Sequence, residues 1–441
     1  MGMVVKNNMS AISTLNTLNK NSSALSKSLQ KVSSGMKING AADDASGYAI
    51  SERMRVQIRG LDQANSNTQN GSSMMKVAEG AVSSTVDILK TLKEKVISAA
   101  NDTNTDSDRA TIQKELDQSI DQINDNANVT YNGKLLVDGS HNSEVKATTT
   151  AMTNESLATN TAGTTAFSAM KDRNGNSLNI NSMDKVTLSF VKEGKTYTTS
   201  VSATSNLEEL IEAANDEGKK QGLKNNAFNA KIGTSSYIGK DVAGDTVATA
   251  DQKQALTISA GGTGVANQIS GITISVTNTK GAVQKSANAV LDNFSESVRA
   301  QNSSSDNSMV LQVGTKANQS IKVGLTDMRA EALGLQSSSG ANIQIGTQAQ
   351  ANAAINVLDN AVQKALDQQT TIGSIESRLE YTSANLTTAS ENVQSSESTI
   401  RDANMAKEMT EYTKNNVLMQ AAQSMLAQAN QSSSSVLSLL Q

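Results

Sequence analysis

The chain has no proline, no cysteine and no tryptophan, and only one histidine in 441 residues. Average usage would supply about 22 prolines. Their absence removes both the helix breaker and the slow cis/trans step of folding, which suits long uninterrupted helices. Without cysteine, disulfide, thiolate and cysteine–metal chemistry are closed in any compartment. Aromatics at 2% and a net charge of −4 argue against nucleic acid, which wants basic patches and stacking rings. His141 cannot make a zinc-protease helix, which needs two histidines with a glutamate between them. A serine–histidine–acid triad would have to use it with no nucleophile-elbow motif anywhere, so it reads as a loop residue. No run of 18 apolar residues exists, so no helix is expected to span a membrane.

The N-terminus holds one apolar run, Met3 to Val5, which Lys6 interrupts. It is too short for a signal-peptide core. Composition alone reads as a cytosolic protein, with export by a route needing no cleaved signal left open. Gly261-Gly262-Thr263-Gly264 lacks the third glycine and the lysine of a phosphate loop and reads as a turn. No catalytic set, metal site or cofactor is expected.

What the chain does have is rhythm. From Ala354 through Leu358, Ala361 and Ala365, on to Leu379, Leu386, Ile400 and Ala403, apolar steps alternate four and three. That is the seam of a coiled coil, on a helix about 75 Å long. The seam is rich in alanine and needs a close partner. A second seam of matched length runs Ile50, Met54, Gln57, Leu61, Ala64, Thr68, Gly71, Met75, Ala78, Val82, Thr85, Leu89, Leu92, Val96. Asp43 or Asp44 caps its start. The two are expected to pair.

A shorter seam precedes them: Ala11, Leu15, Leu18, Ser22, Leu25, Leu29, Val32, Met36. The breakers around Gly35 to Gly40 should stop that helix. A third helix after Asn101 to Ser107 carries Ile112, Leu116, Ile120 and Ile123 on one face, and Tyr131-Asn132-Gly133-Lys134 reads as a turn. The middle, about Ser140 to Ser305, turns to Thr, Ala, Asn and Ser. Strands are expected at Val186–Phe190, Tyr197–Val201, Ala255–Ser259 and Ile272–Val276, with a small helix at Leu207–Ala214. Met309–Val313 and Ser320–Val323 read as a hairpin.

Beyond Ala403 the helical spacing continues with a phase shift through Met405, Met409, Met419 and Met425, and Lys414 is the last charge. The tail has no evident intramolecular partner. Both ends are expected to be mobile alone and ordered when neighbours cover them. The fold class is therefore mainly α: long antiparallel coiled-coil helices from both termini, with a central β-rich insertion domain.

Ser33 to Gly47 (SSGMKINGAADDASG), followed by Ala49-Ile50, resembles the N-terminal signature of bacterial flagellins. Leu325 to Ala330, Ala332 to Leu335, Ile375 to Glu380 and the closing Ala421 to Leu440 are likewise similar to that family. The resemblance covers about 140 and 130 residues at the two ends. The middle resembles only its variable outer domains.

The resemblance implies a subunit of the flagellar filament, secreted and extracellular, with no enzymatic role. A hook–filament junction protein is the alternative, since it shares both terminal helical regions. The implied division is an inner-tube helix at 1–42, shell segments at 43–140 and 306–399, an outer β-rich domain at 141–305, and a second inner-tube helix at 400–441. Polymerisation seams would run through Leu15, Leu18, Leu25, Leu29 and Val32, and through Leu418, Met425, Val436 and Leu439. Partners implied are further copies of the chain, cap and junction proteins, and an export chaperone at the C-terminal segment. No nucleic acid or membrane partner is implied.

A host innate-immune receptor contacts a family segment that resembles Leu-Gln-Arg-x-Arg-Glu-Leu. The matching residues are Leu89 to Lys95. Thr91 and Lys95 stand where the receptor-contacting arginine and leucine would be, while Glu115 keeps the third contact. The region Leu89, Thr91, Lys95 and Glu115 therefore implies a weak receptor ligand.

Overall fold

The computed structural model describes residues 8–223, 225–229 and 232–438. In chain order the elements are helices α1 (Met9–Ser34), α2 (Ala45–Ala99) and α3 (Asp106–Ala127), then strands β1 (Thr130–Tyr131), β2 (Lys134–Leu135) and β3 (Ala151–Asn154). Next come β4 (Lys185–Lys192), β5 (Lys195–Ser202), helix α4 (Leu207–Lys220), and strands β6 (Gly233–Ser235), β7 (Tyr237–Lys240), β8 (Thr246–Ala248), β9 (Ala255–Ser259) and β10 (Ile269–Thr277). Helix α5 (Lys285–Leu291), strands β11 (Ser295–Val298), β12 (Met309–Gln312) and β13 (Ser320–Val323), and helices α6 (Ala330–Leu333), α7 (Gln348–Arg401) and α8 (Met405–Ser438) complete it. With 55 and 54 residues, α2 and α7 are each about 80 Å long.

The chain divides into two compact units. One draws its described residues from Met1–Thr68, Gln312–Gln319 and Tyr381–Gln441; the other from Gln69–Leu311 and Ser320–Glu380.

Within the first unit, α2 and α7 run antiparallel. Leu61, Ala64 and Leu386 form a thin core with Ala389 and Val393 against it. The polar rim matches it: Ser390 donates to Asp62 at 3.0 Å, and Ser383 to Asn65 at 2.7 Å. The expected seams thin out towards their ends. Ile50 and Gln57 are exposed, Ser51 is buried in their place, and Ser396 lies open. The helix itself stops at Arg401, two residues before the expected Ala403.

The second unit holds the larger core. From Gly71 to Val96 every expected seam residue of α2 is buried, and so are Ala354 to Ile372 along the expected seam of α7. Lys76 pairs with Glu376 at 3.6 Å, and Lys93 with Asp359, again antiparallel. On α3, Leu116, Ile120 and Ile123 are buried, and Thr105 with Asp108 makes a capping box. Asn132 and Gly133 both take positive φ, 51° and 76°, in the two-residue turn between β1 and β2.

The insertion is β-rich and antiparallel: a three-stranded sheet in the order β10-β4-β5 and a four-stranded sheet in the order β11-β3-β9-β6. The scarce phenylalanines gather here. Phe190 stacks on Tyr197 at 5.1 Å and meets Phe228 edge-on at 4.8 Å, between the sheet and the Leu207, Leu210, Ile211 face of α4. Asn206 caps α4 at the amide of Glu209, with Glu208 and Glu209 in the first turn and Lys219 and Lys220 in the last. The four expected strands and the helix are present. The Thr-, Ala-, Asn- and Ser-rich stretch from 144 to 175, where no strand is expected from the sequence, contributes the buried strand β3.

Candidate assembly surface

In the first unit, α1 lies antiparallel along α8, and their shared seam is polar. Asn8 donates to the carbonyl of Ala429 and Asn21 to that of Leu418, both at 3.2 Å. Asn415 donates to the Ser28 hydroxyl at 2.9 Å, and Lys31 approaches Glu408 at 3.9 Å. The covered face of α1 reads Ala11, Thr14, Leu18, Asn21, Leu25, Ser28, Val32. This corrects the expected phase: Leu15 and Leu29 are not in it and stand 45% and 52% exposed. Two stripes run down α1: Leu18, Leu25 and Val32 lie among polar residues on the side facing α8, and Leu15 and Leu29 lie on the other.

Helix α8 repeats the arrangement. Asn415, Met419, Ala422, Leu426 and Ala429 lie at least partly covered, whereas Met405, Met409, Val417, Leu418 and Met425 are exposed. Apolar side chains therefore occur around its whole circumference, as on a helix buried from every direction, yet α1 covers one side. From Asn415 to Ser438 it carries no charge. Of the expected seam positions, Leu18, Leu25 and Val32 are half-buried, while Leu15, Leu29, Leu418 and Met425 face outward. Leu439 lies outside the described residues, as does the side chain of Val436.

Both helices end at a joint that holds the chain's two breaks side by side. Gly35 caps α1 at φ 71°, a left-handed conformation that favours glycine. The Lys37 amide donates to the Arg401 carbonyl at 2.7 Å, and the Ala403 amide to the Gly35 carbonyl at 2.9 Å. Arg401, whose side chain is 7% exposed, donates to Glu52 at 2.7 Å and sits 5.6 Å from the centre of the Tyr48 ring. That hydrogen bond holds the Glu52 carboxyl below the usual carboxylate range. Asp44 is the cap of α2: its carboxylate accepts from the amides of Ser46 and Gly47, which lowers its pKa. Asp43 instead accepts from the amide of Asn39. A Cβ on Gly47 would stand 2.7 Å from the buried Ile38, so the signature needs its glycine there.

In the second unit, the expected receptor-facing residues separate. Leu89 is fully buried and is corrected to a core residue, because it shares the inward face of α2 with Leu92 and Val96. Thr91 is exposed and its hydroxyl donates to the carbonyl of Asp87. Lys95 and Glu115 hold each other at 3.0 Å across two helices. The lysine thus has the partner that its charge requires, and the glutamate is engaged.

His141 sits in a partly exposed loop, its Nδ1 3.3 Å from the carbonyl of Asn307. The glycine run uses its amides within the protein: Gly261 donates to Ala227 and Gly264 to Thr148, both at 3.0 Å. Among the described residues no group of His, Asp and Glu is placed to hold a metal ion, and no helix is long and apolar enough to cross a membrane. Among the described residues, exposed apolar side chains of α1 and α8 form a surface that the chain itself leaves uncovered.

Residues 5–142 match the bacterial flagellin N-terminal helical region, and residues 355–440 match the C-terminal one. Flagellin of Clostridium tyrobutyricum is 33% identical over 97% of this chain and 99% of its own length. Flagellin of Bacillus subtilis (strain 168) is 29% identical over 99% of this chain and 100% of its own. Among solved structures, the flagellar hook associated protein-3 of Legionella pneumophila aligns with 78% of this chain and 97% of that one, at 15% identity and a TM-score of 0.33. With both terminal regions matched and the likeness to flagellins running the length of the chain, this protein belongs to the bacterial flagellin family and is a structural subunit of the flagellar filament.

Proposed function

We propose that the chain polymerises by burying the outward stripes of α1 and α8 against further copies, with Leu15, Leu29, Leu418 and Met425 at the contacts. The observation that carries this reading is α8 itself, apolar around its circumference and partnered on one side. Such a contact joins different surfaces of successive copies, so it does not close and extends into a fibre. The half-buried Leu18, Leu25 and Val32 hold α1 to α8.

In this reading residues 1–42 and 400–441 make the inner tube and 43–140 with 306–399 the surrounding shell. Residues 141–305 form the outer domain. The fibre is extracellular and the subunit is secreted. The chain's role is structural rather than enzymatic, for which the single loop histidine and the absence of cysteine speak. The export chaperone binds the C-terminal segment around Leu418, Met419, Met425 and Leu426, whose outward members would otherwise associate early. Cap and junction proteins meet the ends of the fibre. Thr91, Lys95 and Glu115 give a weak host-receptor ligand, since no guanidinium is offered and the glutamate is engaged by lysine.

Salting out the purified chain and viewing it by electron microscopy tests the assembly reading. Long hollow fibres are expected, and amorphous or monomeric material would overturn it.

A further inference from the structure

The methionines are sorted by location. Met74, Met75, Met152 and Met170 are buried in the second unit, whereas Met9, Met405, Met409 and Met425 stand exposed on α1 and α8. Among the described residues, Met183 is the one other methionine exposed to a like degree. At 43%, 47% and 62% exposure, Met405, Met409 and Met425 lie off the side of α8 that α1 covers.

We propose that Met405, Met409 and Met425 are sites of reversible thioether oxidation that govern assembly, with hydrogen peroxide or another small hydroperoxide as the oxidant. The inference rests on the reading of α8 as an assembly surface. A sulfur lone pair attacks one peroxide oxygen, an S–O bond forms, and the O–O bond breaks. Sulfur is oxidised by two electrons, the peroxide is reduced, and water leaves with both protons.

The product turns a flexible apolar group into a polar acceptor. In the free chain the new S=O dipole faces water, so the fold is unaffected. In the fibre the same atom would be stripped of water beside apolar neighbours, the situation in which an unpaired polar group is costly. Oxidation thus acts against the assembled state and spares the monomer. Burial in the fibre also shields the sulfurs, so the free subunit is the vulnerable form.

The test treats purified monomer with hydrogen peroxide, maps oxygen addition by peptide mass spectrometry, and reads the critical concentration for salt-induced assembly. Oxidation at the three sites should raise that concentration at least tenfold, with helix content unchanged. Methionine sulfoxide reductases of both stereospecificities should restore it. A chain carrying Met405→Leu, Met409→Leu and Met425→Leu should show the same critical concentration before and after peroxide, within twofold of its own untreated value. Full oxidation with an unchanged critical concentration overturns the inference, as does a triple variant that remains peroxide-sensitive. Leu418→Asp separates the layers of the argument. Should that chain assemble normally, the assembly surface itself is misplaced. Should it fail while the oxidised parent assembles, the oxidation inference alone is wrong.

Discussion

Arg401, at the last turn of α7, donates to Glu52 near the start of α2 at 2.7 Å, and the pair closes the joint where both long helices end. The guanidinium also lies over Tyr48 and beside the sulfur of Met36. Arg401→Met should remove the hydrogen bond to Glu52 and the ring contact together, lowering the melting temperature of the parent by about 4 °C. Glu52→Gln keeps an acceptor and should cost less. Thermal unfolding followed by circular dichroism decides it; equal melting curves for parent and Arg401→Met would show that the backbone bonds at Lys37 and Ala403 hold the joint unaided.

The second prediction concerns the two stripes of α1. Leu15→Ser with Leu29→Ser changes only outward positions, so helix content should stay near the parent value while the critical concentration for assembly rises at least tenfold. Leu18→Ser with Leu25→Ser strikes the half-buried side and should lower helix content in the monomer. Circular dichroism of the monomer and sedimentation after salting out distinguish the pairs, and reversal of the two phenotypes would contradict the assignment of faces.

A third prediction removes the end of the chain. Deleting residues 403–441 leaves α7 and the entire second unit intact in sequence. The product should stay folded, with its sheets retained, and form no fibres. Fibres longer than a few subunits would mean that assembly does not need α8.

The fourth is a pH effect. Burial pushes the Asp292 carboxyl up to about 6, opposed in part by the hydrogen bond it accepts from the Ile274 amide at 2.9 Å. In an unfolded chain aspartate titrates near 3.9, at roughly two units lower. The native state therefore holds this proton more tightly. Its contribution is fully present below about pH 4 and is lost as pH rises through about 6, by roughly 2 kcal/mol after allowance for the part of the group that meets water. Asp292→Asn should flatten that portion of the stability profile and be more stable than the parent at pH 7. Urea midpoints at pH 4.5 and pH 7 test it, and an unchanged slope would place the titration elsewhere.

Receptor signalling supplies the last prediction. Lys95→Leu frees Glu115 from its ion pair, and Thr91→Arg adds a bidentate donor on the exposed side of α2. Together they should raise the activity of the monomer in a reporter-cell assay by about tenfold, equivalent to 1.4 kcal/mol. A parent already as active as a typical flagellin would contradict the weak-ligand reading.

The long helices were legible because a four-three pattern sustained over dozens of residues has one physical reading; Leu61 to Val96 are buried position by position. The phase of α1 was not, because its apolar residues are divided between two stripes: Leu18, Leu25 and Val32 face α8 beside Asn21 and Ser28, while Leu15 and Leu29 face outward. Leu89 carried two readings, and the spacing, three before Leu92 and seven before Val96, is the one its burial agrees with. In the insertion, β4, β5 and β10 alternate or run long enough to be seen. Strand β3, four residues buried on both faces, offers no alternation to detect. Among the residues of the assembly surface, chemistry was readable and orientation was not, since orientation depends on which of two stripes the partner helix chooses.

The contact between α1 and α8 sets Leu18, Leu25 and Val32 among amides, hydroxyls and one lysine–glutamate approach. The apolar residues hold the pair and the polar ones key it. Lengthwise slippage would part Asn415 from Ser28 and Lys31 from Glu408, whereas opening the pair lets water replace those polar partners and costs mainly the burial of the leucines. A subunit built this way finds the same alignment whenever its two ends meet.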